Sequence, residues 1–145
     1  MHKQYLCAMK YGSRHKLIAL LFSLSLVSCG MTPEEKKTLE TLHQIAAETP
    51  VYPAFKQVNS NSVVKSQMAT LDYYYQAPAF SYSEVKSFYI KELTARGWNK
   101  VKEDTYGGNT EGITFRKGEY SITVFHSSPR DQNWDYALSY TWEKP

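Results

Sequence analysis

The sequence predicts an α+β fold, in which one main helix packs on a twisted antiparallel sheet of about five strands and a short N-terminal helix precedes them. Residues 134–142 alternate large apolar side chains with small or polar ones, the pattern of a strand with one covered face. Residues 120–125 repeat that pattern, and residues 81–98 carry helix start and stop signals. Because a one-sided sheet and an amphipathic helix bury each other's apolar faces, these patterns together predict a single two-layer domain.

The main helix has the clearest signals. Ser81 and Glu84 have the spacing of a capping box, in which each side chain accepts a hydrogen bond from the other residue's backbone. Gly97 supplies the left-handed residue that commonly ends a helix, and Trp98 can pack back onto Leu93. We therefore expect a helix that begins after Ser81 and ends at Gly97.

A shorter helix is expected near the N-terminus. Thr32 and Glu35 again have capping-box spacing, Pro33 suits the first helical position, and the helix should end near Thr49. A spacer helix that docks on the domain or stands off a membrane is favoured over a helix that binds a partner or lies on a membrane. We expect an irregular linker over 51–61, so that residues 29–61 precede a globular domain at 62–145.

The remaining segments predict strands. Residues 63–75 read as one strand whose apolar residues fall on both faces, which a bulge or a doubly covered strand would explain. A meander should follow at 98–104, 113–116, 119–126 and 134–142, with a hairpin turn at Lys117-Gly118. The expected covered face of the last strand carries Trp134, Tyr136, Leu138, Tyr140 and Trp142.

The opposite face of this sheet is a candidate partner surface. The alternation places Arg116, Thr123, Phe125 and Ser139 there. A solvated face with one exposed aromatic residue is the ordinary alternative.

Aromatic residues are abundant, with 12 tyrosines and three tryptophans in 145 residues. Most occupy positions that the core requires. Tyr73, Tyr74 and Tyr75 are candidate ligand-binding aromatics, although three consecutive strand residues cannot all face one side. The polar loop 127–133 is a second candidate for ligand binding.

The N-terminal segment determines the predicted location. Lys10, Arg14 and Lys16 precede an apolar run over 17–27, which ends in Leu-Val-Ser-Cys at Cys29. This run is shorter than the roughly 20 residues that span a bilayer. The segment resembles the signal peptide of bacterial lipoproteins, with Leu26 to Cys29 as its lipobox.

The resemblance implies removal of residues 1–28 and attachment of a diacylglyceryl group to the Cys29 sulfur, with acylation of the new amine. Gly30 stands where lipoproteins retained at the inner membrane tend to carry Asp. The expected location is therefore the cell outer membrane, or the outer face of the plasma membrane in a Gram-positive host.

Removal of the signal changes the charge. Residues 1–28 hold four of the 17 basic residues and none of the 14 acidic ones, so the net charge falls from +3 to −1. The basic balance of the full chain therefore does not predict nucleic acid as a partner. Cys7 is removed and Cys29 is acylated, which leaves no thiol for a disulfide.

No motif of the mature chain predicts chemistry. Its two histidines and scattered carboxylates have no metal-ligand spacing, and no nucleophile elbow is present. We expect no cofactor, no metal and no enzymatic activity. The sequence predicts a non-catalytic, lipid-anchored accessory or subunit of a cell-envelope assembly, which binds another protein through the open sheet face or the first-strand edge.

Two alternatives remain at this point. One is a periplasmic or surface module that binds or inhibits a glycan, peptidoglycan or a toxin, using the tyrosines or the loop 127–133. The other, less favoured, is an envelope hydrolase.

Overall fold

The computed structural model describes residues 31–77, 79–107, 110–127 and 133–144. Within these ranges, six strands form one open antiparallel sheet, and two helices accompany it, which confirms the α+β class with six strands rather than about five. The elements are α1 (Pro33–Glu48), β1 (Lys56–Lys65), β2 (Met68–Gln76), α2 (Tyr82–Ala95), β3 (Asn99–Tyr106), β4 (Thr110–Lys117), β5 (Tyr120–Ser127) and β6 (Tyr136–Glu143). The strand order across the sheet is β1-β2-β6-β5-β4-β3.

Both helices begin at the predicted caps. The Thr32 and Ser81 side chains accept from the backbone N–H groups of Glu35 and Glu84, and each glutamate accepts from the backbone N–H of its cap residue. These reciprocal bonds satisfy helix donors that have no partner within the helix.

The C-terminus of α2 is also as predicted. The Trp98 N–H donates to the Leu93 carbonyl and the Gly97 N–H to the Thr94 carbonyl, both at 3.0 Å. Gly97 has a φ of 79°, and this hydrogen-bond pattern is the Schellman motif. The next strand therefore leaves the helix in a defined direction.

The sixth strand lies where the sequence predicted a linker. Residues 56–65 form β1, which turns at Ser66-Gln67 and pairs with β2 along its length. The single strand expected over 63–75 is thus wrong: the turn reverses the alternation, which explains apolar residues on both parities. The expected boundary between residues 61 and 62 falls inside β1.

The core lies on one face of the sheet. Buried residues of α1 and α2 join the inward residues of the strands in one cluster, which includes Leu42, Leu71, Tyr89, Leu93, Ile122 and Leu138. Helix α1 contacts β1, β2 and β6, and α2 contacts β3 and β5. Leu42 is fully buried, so α1 contributes to the domain core rather than standing off it.

Several predictions lie outside the described residues. They include the signal segment with Cys29 and residues 128–132 of the polar loop. No helix among the described residues is long and apolar enough to cross a membrane.

An ion-pair group joins α2 to the edge strand β3. Glu103 Oε2 lies 2.7 Å from Lys100 Nζ, and its Oε1 lies 2.6 Å from Lys86 Nζ. The hydrogen bond from Lys100, followed by that from Lys86, lowers the pKa of the Glu103 carboxyl from 4.5 to about 2.

We predict that Glu103→Gln lowers the free energy of unfolding at pH 7 and that this difference disappears on acidification. A carboxyl whose pKa is lowered by folding stabilises the protein above its unfolded pKa, and this contribution is lost as the pH falls through the folded value. The difference should therefore decline between about pH 4.5 and 2. Urea unfolding across this range measures it, with the exposed Glu40→Gln as control; a difference that does not depend on pH would contradict the assignment.

Candidate functional site

The predicted partner residues all lie on the open face but do not form one cluster. The strand register places Thr123 beside Ser139 and Phe125 beside Ala137. Thr123 Oγ1 lies 3.0 Å from the Thr114 hydroxyl in the middle of the face. Arg116 lies toward the other end, where its guanidinium is 3.6 Å from Glu143. The predicted partner residues are therefore spread along the open face, with Phe125 toward one end and Arg116 toward the other.

The three consecutive tyrosines are divided between the two faces. The Tyr73 hydroxyl lies 3.3 Å from His43 Nδ1 of α1, on the helix side. Tyr75 is buried and stacks on Phe55, and burial raises the pKa of its phenol to about 12. Only Tyr74 lies on the open face, opposite Ala137, so the three rings do not form a shared ligand surface.

Trp134 joins Tyr74 on the open face. Their ring centroids are 5.5 Å apart at an angle of 53°. The sequence placed Trp134 on the covered face with Tyr136, and this prediction is wrong because β6 begins only at Tyr136. The residue before the strand does not follow the strand's alternation.

Asp135 holds this irregular segment in place. Its N–H donates to the Tyr75 carbonyl at 2.9 Å, and its carbonyl accepts from the Ser127 N–H at 3.0 Å. Its Oδ2 accepts from the buried Ala77 N–H at 2.8 Å. The residue is 8% exposed, and these bonds connect it to the ends of β2 and β5, which fixes the adjacent Trp134 beside Tyr74.

A second aromatic pair faces the first across the sheet. The rings of Tyr106 and Phe125 are 5.2 Å apart at 69°, an edge-to-face arrangement. Both cover Gly112 of β4, where an added Cβ would lie 2.8 Å from Tyr106 Cε2 and 3.0 Å from Phe125 Cδ1. The absence of a side chain at this position is what allows both rings to approach the backbone of β4 so closely.

The two pairs flank a depression of about 400 Å³, which we call the aromatic groove. Tyr74 and Phe125 both pair with Ala137, so their backbones are two strand spacings, about 10 Å, apart. The groove is lined by Asp72, Tyr74, Tyr106, Gly107, Thr110, Phe125, Trp134, Ala137 and Ser139. It is thus an aromatic-walled site with hydroxyl and carboxylate groups.

A second depression lies beyond the Tyr74–Trp134 pair, which forms a ridge between the two. It has a volume of about 540 Å³, and we call it the amide groove. It shares both ridge residues and is otherwise lined by Val58, Asn59, Asn61, Gln76 and Asn133. Four of these five side chains carry amides, which both donate and accept hydrogen bonds.

The described residues that line the two grooves carry little charge. No lysine or arginine is among the described residues that line them, and Asp72 is the one charged group among those residues. Burial, followed by the charge of Asp72, raises the pKa of the Tyr74 phenol. Lys102 lies nearby, 5.9 Å from the Tyr106 ring centre, where it forms an ion pair with Asp104.

The helix side holds one imidazole–carboxylate pair. His126 lies between the rings of Tyr82 and Tyr136, and its Nδ1 is 3.6 Å from Glu111 Oε2. The strand predicted over 119–126 ends at His126, but the sequence does not identify Glu111 as its neighbour. The register places both residues on the core face, so the pair lies across the sheet from the aromatic groove. No group of three or more potential metal ligands occurs in the described ranges.

Gly112→Ala should destabilise the protein because the new methyl group must displace the Tyr106 or Phe125 ring. We expect a loss of about 1–3 kcal/mol in the free energy of unfolding, the usual cost of overpacking. Gly107→Ala is the matched control, since nothing lies within 4 Å of a Cβ at that position. Urea unfolding compares the two variants; equal stability would show that the rings do not cover Gly112.

Comparison with protein-family models, with curated proteins and with solved structures finds no match to this chain.

Proposed function

We propose that this chain is a non-catalytic, lipid-anchored protein of the cell envelope, an accessory or subunit that acts by binding through the open face of its sheet. The observation that carries the proposal is the aromatic groove. Four half-buried rings, Tyr74, Trp134, Tyr106 and Phe125, converge there around hydroxyl groups and one carboxylate. Ligand sites typically combine such apolar walls with a few polar groups.

An ordinary solvated face would have a different composition. The outer face of an antiparallel sheet with one covered side usually carries polar residues at alternate positions. The middle of this face does so, with Thr114 and Thr123. The aromatic side chains are instead gathered at one end, and clustered exposed apolar groups are typical of interaction sites.

The proposed layout is two layers, with α1 and α2 on one face and the grooves on the other. Because each helix shares the single core, the opposite face is free of described elements. The sequence offered the whole open face and the first-strand edge as binding surfaces. The concentration of aromatic residues favours the grooved end of the face over both.

The anchor position supports this use of the grooved end. Thr32 lies beside the β1–β2 turn at Ser66-Gln67, the opposite end of β2 from Tyr74. Three residues from Cys29 span at most about 10 Å before Thr32. The six residue steps along β2 from Met68 to Tyr74 span about 20 Å. A lipid on Cys29 would thus hold the turn near the bilayer and direct the grooves away from it.

The anchor is tested by substitution of the two cysteines. Cys29→Ala should move the protein from the membrane fraction to the soluble fraction, because the thioether lipid has no other attachment site. Cys7→Ala lies in the segment that is removed and should leave the protein in the membrane fraction. Membrane retention of Cys29→Ala would contradict the anchor.

The binding surface is tested in the same cells by photocrosslinking from two serine positions on the open face. A photoreactive residue at Ser139, which lines the aromatic groove, should form adducts, and one at Ser121, which lies beside Arg116, should form few. Phe125→Asp should abolish the Ser139 adducts, whereas Arg116→Glu should not. Equal labelling from both serines, or none, would contradict binding at the groove.

A further inference from the structure

We propose that the aromatic and amide grooves together bind an uncharged glycan chain that lies across the strands. This inference rests on the proposed function, since it takes the open face as the binding surface. It adds the chemical class of the ligand and its direction on the sheet.

The aromatic rings provide the stacking surfaces. The Tyr74–Trp134 ridge separates the two grooves, and the Tyr106–Phe125 pair forms the far wall of the aromatic groove. The C–H faces of sugar rings are apolar and pack on aromatic rings, while the tyrosine hydroxyls keep a polar tip for the sugar's own hydroxyls. A volume of about 400 Å³ lies within the range of small-molecule sites.

The polar lining matches a polyol. A sugar hydroxyl donates one hydrogen bond and accepts others, so it is best met by groups that do both. The amide groove presents four such side chains, and the aromatic groove presents Ser139, Thr110 and the Asp72 carboxylate. A peptide in extended conformation would instead pair with a strand edge, because that is where backbone donors and acceptors are unpaired.

The charge of the lining excludes anionic polymers. Phosphate and carboxylate groups are recognised chiefly by arginine and lysine, and none lines either groove among the described residues. Lys102, at the β3 edge, already pairs with Asp104. Among the described lining residues, Asp72 is the one charged group, and it repels nucleic acids, acidic polysaccharides and phosphate headgroups.

The extent of the lining favours a polymer over a compact cation. A quaternary ammonium would be attracted by the ring faces and by Asp72. The lined surface, however, runs from Asn59 on β1 to Tyr106 on β3, five strand spacings or about 24 Å. A single ammonium group would occupy one part of this length and leave the amides unused.

The test uses the lipidated protein, purified from membranes in a polyoxyethylene detergent that carries no sugar. Calorimetry should detect binding of at least one of three neutral hexasaccharides: β-1,4-linked N-acetylglucosamine, β-1,4-linked glucose or α-1,4-linked glucose. Tyr74→Ala and Trp134→Ala should each weaken binding about tenfold or more, as loss of a central aromatic contact does. Because no ion pair contributes, the affinity should change little between low and high salt.

The matched control is Tyr120→Ala, a half-buried strand tyrosine at the other end and on the other face of the sheet. It should leave the affinity unchanged, and urea unfolding of each variant identifies any that fails to fold. If Tyr74→Ala is unfolded, the test rests on Trp134→Ala. Trp134 lies before β6 and not within a strand.

Three outcomes would overturn the inference: no neutral hexasaccharide binds, polygalacturonate or choline binds in their place, or Tyr120→Ala weakens binding as much as Tyr74→Ala. The two proposals remain separable. Protein adducts at Ser139 without glycan binding would overturn the glycan inference and leave the proposed function intact. Failure of both glycan binding and Ser139 crosslinking would overturn both.

Discussion

The hydrogen bonds of Asp135 are the constraint on which the rest of the site depends. This residue, which directly precedes β6, hydrogen-bonds to the ends of two other strands: β2 through the Tyr75 carbonyl and the Ala77 N–H, and β5 through the Ser127 N–H. The bond to Ala77 is buried and has a carboxylate acceptor, and such charge-assisted bonds are stronger than neutral ones. Because the segment is held on both sides, Trp134 is placed against Tyr74 instead of continuing the alternation of β6.

The two faces of the sheet consequently differ in burial and composition. On one face lie the residues of the core cluster, which includes the fully buried Tyr89 and Leu138. The other face carries Trp134 from the irregular segment and two rings that depend on Gly112. The aromatic groove is separate from the core, because none of the described residues that line it belongs to the core cluster.

The sequence predicts most of the fold because its local signals agree. Capping boxes at Thr32 and Ser81 and the Schellman motif at Gly97 depend on neighbouring residues only, and all three are present. The β1–β2 turn at Ser66-Gln67 is hard to predict because Ser66 is its one turn-favouring residue, and it lacks the glycine, asparagine, aspartate and proline that mark tight turns more strongly. The hairpin loop comprises Gly118 and Glu119, one residue later than predicted.

The candidate site was less predictable than the fold. Phe125 and Ser139 were assigned to the open face correctly because each lies within a regular strand. The partners of Phe125 and Tyr74 could not be found in this way. Tyr106 reaches Phe125 across Gly112, two strands away, and Trp134 is positioned by the tertiary hydrogen bonds of Asp135. Gly112 inside a β-rich segment was the available signal, since a glycine within a strand often marks close approach of another group.

The most direct test of this account is the environment of the Trp134 indole, measured by nuclear Overhauser effects in isotopically labelled protein. The account predicts effects between the Trp134 and Tyr74 rings, whose centroids lie 5.5 Å apart. It also predicts none between Trp134 and the buried Leu138 or Tyr140 side chains. Effects to Leu138 and Tyr140 would place Trp134 on the covered face, as strict alternation requires, and would contradict the groove.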